Sequence, residues 1–213
     1  TLAVALFDGN VAAVDFVRIE VRGPGNFTWY GRVRDYDRSD VVLTVVDGMV
    51  AGGIGLATSS NGQARSYLLE SLSDGLQLLQ ELDPALLPPE HPPGWTGEAP
   101  AGTLFDTPSL TSQADTGGTV DIMIVYSDQT AAAAGAAIGA TVQYAVDRTN
   151  LAYTNSGIAT QLRLVYSGPA GYSESGDFST DLSRLQGTAD GYLDNVHALR
   201  DTYAADVVSL IIE

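Results

Sequence analysis

Seven of the nine prolines in this 213-residue chain fall between Pro84 and Pro108, and no other feature constrains its folding as strongly. Proline has no amide donor and a fixed φ. Pro84, Pro88, Pro89, Pro92, Pro93, Pro100 and Pro108, with glycines and acids between them, therefore rule out a regular helix or a central strand there. Residues 83–118 also hold five acidic and no basic side chains. Such a segment reads as a stiff, solvated linker whose backbone is open to proteases. It divides the chain into 1–82, a Pro-rich acidic linker at 83–118, and 119–213.

Residues 1–82 read as strands, at 2–7, 11–21, 27–34, 41–46, 49–56, 66–72 and 76–82. Asp8-Gly9-Asn10, Asp47-Gly48, Asn61-Gly62 and Asp74-Gly75 between them tolerate the positive φ of tight hairpins. Strands so closely spaced leave no room for crossover helices, so an antiparallel meander or small sandwich is expected.

Residues 119–213 carry a different pattern. The nearly continuous apolar run 120–126 suits a strand buried on both faces. Ser127 or Asp128 is placed to cap a helix in which Ile138, Val142, Ala145, Val146, Thr149 and Tyr153 share a face, before Asn155-Ser156-Gly157 stops it. Gly135 and Gly139 lie inside this helical pattern, and Gly53 and Gly55 inside a strand pattern; all four read as packing or turn glycines. A strand at 161–166 and a Gly- and Ser-rich loop to Gly176 follow. Leu182 and Leu185 suit a short helix behind Ser179, and Leu193, Val196, Leu199 and Tyr203 a longer one capped near Thr188 or Asp190. A buried strand at 207–212 completes strand-helix-strand-helix-strand, one face of a mostly parallel sheet. The whole is α+β.

Charge and composition exclude several functions. The net charge is −16, with ten Arg and no Lys, and the three segments carry −4, −5 and −7. A phosphate backbone or an anionic membrane surface repels such a chain, so no nucleic-acid or membrane partner is expected. The excess acid reads as solubility in an extracellular or salty setting. The longest apolar tract, 131–146, is too interrupted for the ~20 apolar residues of a membrane span. With no Cys, disulfides, thiolate nucleophiles, Cys-type zinc sites and iron–sulfur clusters are excluded. No Gly-x-Ser-x-Gly elbow and no phosphate-binding glycine loop occurs.

Histidine is scarce. His91 sits in Pro89-Glu90-His91-Pro92-Pro93, where a solvated side chain is the simplest reading. His197 shares a helix face with Asp194 and Asp201, at offsets of three and four residues, so the three form a candidate metal cluster. A solvated helix face is the plainer account of them.

The segments Val120-Asp121-Ile122-Met123-Ile124-Val125-Tyr126, Ala145-Val146-Asp147-Arg148-Thr149-Asn150 with Tyr153, and 175–185 resemble the start of the catalytic domain of reprolysin-like (adamalysin-type) metzincin zinc peptidases, bacterial ones especially. The segments 190–201 and 205–210 continue the likeness, which covers 119–213. The segments 27–33, 41–48 and Pro88-Pro89-Glu90-His91-Pro92-Pro93 look like the pro-region of such precursors. The resemblance implies an antiparallel β pro-region followed by an incomplete metzincin-like α/β subdomain, in a secreted or extracellular bacterial protein. It also implies zinc in the full-length parent, protein or peptide substrates, and a partner in the missing carboxy-terminal part of its own catalytic domain. The family motif His-Glu-x-x-His-x-x-Gly-x-x-His is absent, and two His cannot supply three ligands. No catalytic or cofactor-binding position is therefore assigned, and the segment alone is expected to be inactive. If the pro-region blocks zinc directly, Glu90, His91, Asp106 and Asp115 are the candidate ligands; steric cover of the cleft is simpler. The competing expectation is a non-catalytic secreted binding or inhibitory protein made of a β module and a small α/β module.

Overall fold

Antiparallel pairing in strict sequence order organises the first part of the chain in a computed structural model, which describes residues 1–6, 11–57, 64–72, 75–86 and 118–213. Strands β1 (Leu2–Ala5), β2 (Val11–Gly23), β3 (Asn26–Val33), β4 (Arg38–Val46), β5 (Met49–Ala57), β6 (Ala64–Ser71) and β7 (Gln77–Leu82) form one curled seven-stranded meander. Asp47 and Gly48 close the β4–β5 hairpin with φ of 50° and 85°, as a two-residue mirror-image turn requires. Pro24-Gly25 closes β2–β3, with Gly25 at φ 75°. The predicted turns at Asp8-Gly9-Asn10 and Asn61-Gly62, and Asp74 of a third, lie outside the described residues.

Alternation along these strands sends side chains to two faces, and on the central strands β3 to β5 both faces hold buried residues. Val14, Val33, Val41, Ile54, Leu56 and Tyr67 cluster on one face, where the sheet curls over its own core. Thr28, Tyr30, Val42, Thr44 and Ala51 are also shielded from solvent. A second covering layer is thus needed, and it comes from the other part of the chain.

That part is a three-stranded parallel sheet, ordered β10-β8-β9, from β8 (Thr119–Tyr126), β9 (Gln161–Pro169) and β10 (Val207–Ile211). Its helices are α1 (Asp128–Ala134), α2 (Ile138–Asn155), α3 (Phe178–Gln186) and α4 (Asp194–Tyr203). Met123 and Val125 of β8 pack with Ala170, Tyr172, Leu193, Val196 and Ala205. Ile124 packs instead with Val142 and Val146 of α2, joined by Ile122, Ile138, Leu162 and Leu164. The central strand is thus apolar on both sides for the reason its sequence suggests. The opposite side of α2 lies on β4 and β5 of the large sheet, so this one helix is shared by two sheets.

Two helix expectations need correction. The pattern predicts one unbroken helix behind Ser127, but Gly135 adopts φ 53° and ends α1, and a single 3-10 turn at Gly135–Ala137 re-aims the chain into α2. The last helix begins at Asp194, not near Thr188 or Asp190. The Asp194 carboxylate takes the N–H groups of Asp190 and Gly191, while Gly191 and Leu193 hold positive φ, which breaks helical continuity.

The start of α1 is secured by Ser127, which is fully buried. Its Oγ accepts from the Thr130 N–H at 3.0 Å and donates to Glu174, whose Oε1 also accepts from the Glu213 N–H at 2.9 Å. Ser127→Ala removes the cap and one donor of the half-buried Glu174 carboxylate, so it is expected to cost about 1–2 kcal/mol. Urea unfolding checks this, with exposed Ser183→Ala as a control that stays near the parent.

Candidate functional site: a polar joint between the large sheet and its helix

Residues 140, 144 and 147 recur at helical spacing on the side of α2 away from Val142 and Val146. Ala140 is small, Tyr144 is long and Asp147 is charged, yet Asp147 is only 3% exposed. A buried carboxylate must be paired and hydrogen-bonded or it destabilises the fold. Asp147 is met by three strands of the large sheet. Arg22 of β2 approaches Oδ1 at 3.3 Å and Oδ2 at 3.4 Å. Thr44 of β4 donates to Oδ2 at 2.9 Å, and Thr28 of β3 donates to the same oxygen. Gln143 of α2 itself donates to Oδ1 at 2.9 Å.

The two threonine protons cover the two bonds to Asp147 and leave none for the 3.1 Å contact between the Thr28 and Thr44 hydroxyls. Thr28 and Thr44 are direct cross-strand partners, and each spends its one hydroxyl proton on Asp147. Thr28 Oγ1 then accepts from Arg22 at 2.5 Å. Among the described residues these donors engage both oxygens of Asp147, so it is a structural anchor.

A second ion pair of reversed polarity lies one residue on. Arg148 of α2 pairs with Asp40 of β4. Asp40 sits opposite Gly55 in the β4–β5 register, and a Cβ on Gly55 would run into its carboxylate. A Cβ on Gly53 would likewise strike the Tyr144 hydroxyl. These two glycines are therefore close-approach positions that let the helix sit down on the sheet. Burial pushes the Tyr144 phenol above its ordinary range, against the opposing pull of Arg148. Burial and the negative charge of Asp147 push Tyr30 up in the same direction. Both phenols are protonated at neutral pH.

The residues singled out from sequence are placed elsewhere. Asp194 caps backbone N–H groups at the start of α4. His197 Nε2 lies 2.7 Å from the Gly187 carbonyl oxygen, so this nitrogen is the one that carries hydrogen. Asp201 is exposed one turn further on. Among the described residues no three His, Cys, Asp or Glu side chains form a group able to hold a metal ion. Glu90, His91, Asp106 and Asp115 lie outside the described residues. Arg22 and Asp40 fall in no motif, and Asp147, Thr28 and Thr44 lie in segments that carry the family resemblance without a site role assigned to them. The available signal was an acid at the 140, 144, 147 spacing on a helix whose opposite side is already apolar.

The chain is 29% identical over 219 aligned positions to the peptidyl-Asp metalloendopeptidase of Xanthomonas campestris pv. campestris, a match covering 96% of this chain and 51% of the relative. Proteins of the same name from two strains of Stenotrophomonas maltophilia are 31% identical over 208 positions and 29% identical over 211, each match covering 92% of this chain and 49% of the relative. The chain thus spans about half the length of the curated relatives it matches. No family model and no solved structure matches it. It is related over nearly its whole length to metalloendopeptidases.

Removing the Asp147 carboxylate strands Arg22 and the two threonine hydroxyls at the joint. Asp147→Ala is expected to lower stability by about 3 kcal/mol. Denaturant unfolding followed by far-UV circular dichroism measures it; a loss below about 0.5 kcal/mol contradicts the role given to this residue.

Proposed function

We propose that this chain is the amino-terminal part of a secreted, reprolysin-like zinc metalloendopeptidase precursor. Residues 1–82 act as its pro-region and residues 119–213 begin its catalytic domain. One observation carries the reading: the end-to-end relatedness to metalloendopeptidases that are about twice as long. Peptide-bond hydrolysis then belongs to the longer protein, with the relatives' named preference for peptidyl-Asp bonds. The described residues do not fit a zinc site, so no step of hydrolysis is assigned to them. The competing reading as a non-catalytic binding or inhibitory protein is not favoured by these relatives.

The flank of the small sheet supports the same reading. Among the described residues strand β10 is an edge, bonded on one side to β8. Beside it a groove of about 290 Å³ is lined by Phe178, Leu182, Leu185, Val208, Leu210 and Ile212, with Phe178 69% exposed. An open apolar edge of this kind suits cover by further polypeptide.

The product of the full reading frame is expected to hydrolyse an Asp-containing peptide. A chelator should abolish that activity, zinc should restore it, and residues 1–213 alone should show none. A full-length product with no chelator-sensitive hydrolysis would overturn the proposal.

A further inference from the structure

The joint at α2 carries an inference about what holds the two parts together. The adjacent residues Asp147 and Arg148 present opposite charges, and the sheet answers each with its opposite, Arg22 from β2 and Asp40 from β4. Reversed polarity at neighbouring positions fixes orientation, because a sheet docked the other way round would set like charges together. The contact is also closely fitted. Gly53 and Gly55 leave the space that Tyr144 and the Asp40–Arg148 pair occupy, and Val42, Thr44, Ala51, Ala140 and Asp147 are all buried. None of these contacts runs through residues 87–117.

We infer that the outer side of α2, formed by Ala140, Gln143, Tyr144, Asp147 and Arg148, is a self-sufficient docking surface for the amino-terminal sheet, which stays bound as a separate polypeptide after the connecting segment is cut. Covalent connection supplies an effective concentration of the order of mM, and the charge-paired, close-packed joint makes that supply dispensable. The inference rests on the precursor reading for its biological meaning. In that reading, hydrolysis of the linker does not uncover the catalytic part, and a second event that destroys or displaces the sheet is required. The kind of partner α2 accepts is correspondingly narrow: a β surface offering a cation, two hydroxyl donors and an anion, with glycines opposite Tyr144 and Asp40.

The test inserts a site-specific protease sequence within residues 94–102 of the whole chain and applies the cut protein to a sizing column at about 1 μM, far below the effective concentration that the connection supplied. The two pieces are expected to elute together. Arg148→Asp should raise their dissociation constant at least tenfold, and adding Asp40→Arg should recover most of that loss. Should Arg148→Asp fail to fold before cutting, Arg22→Met replaces it, with the same tenfold weakening expected. Pieces of the parent that elute apart overturn the inference, as does a weakening of less than about twofold in the variant used. The two proposals fail separately: an inactive full-length product removes the precursor reading and leaves co-elution intact, whereas separated pieces leave the peptidase reading intact.

Discussion

A carboxylate taken out of water destabilises a fold by several kcal/mol unless donors replace its hydration, and the meeting of the two parts of this chain is arranged around that requirement at Asp147. Its donors come from β2, β3 and β4 as well as from α2. They converge only if the β3–β4 register sets Thr28 beside Thr44 and the helix approaches closely enough for Tyr144 to lie over Gly53. Sheet register, glycine placement and helix docking are thus conditions on one another. The apolar layers then follow: the side of α2 bearing Val142 and Val146 seals the small sheet, and its polar side seals the large one.

Much of the architecture was legible because it is local. The β4–β5 hairpin follows from Asp47-Gly48 after a β-branched run, the buried strand β8 from an apolar run too short for a helix, and the inner side of α2 from Ile138, Val142 and Val146. Other features depended on what the chain meets in three dimensions. Gly135 reads as a packing glycine in a helical pattern until its left-handed φ ends α1. Leu193 carries apolar helical periodicity, yet it is held at φ 46° in the core ahead of α4, so tertiary packing overrides the local signal.

The candidate site was the least legible part, for a related reason. Asp147 and its partners Arg22, Thr28 and Thr44 are separated by 125, 119 and 103 residues, and no spacing rule connects a helix to strands so distant. Attention falls on His197, Asp194 and Asp201 because His is rare and helical offsets are easy to count. In the fold those groups serve backbone atoms nearby, Asp194 at Asp190 and Gly191, and His197 at Gly187. The resemblance to peptidase precursors runs through Asp147 and Arg148 without giving them a role, and the structure supplies one: together they receive the sheet.

If the sheet and helix form one cooperative unit through this joint, their unfolding must coincide. Trp29 reports on the sheet, and replacing Trp95, the other tryptophan, leaves its fluorescence as the sole indole signal. Equilibrium denaturation followed both by Trp29 fluorescence and by the helical circular dichroism signal is predicted to give a single superimposable transition. Loss of the helical signal at clearly lower denaturant, with Trp29 still in its native environment, would contradict the account.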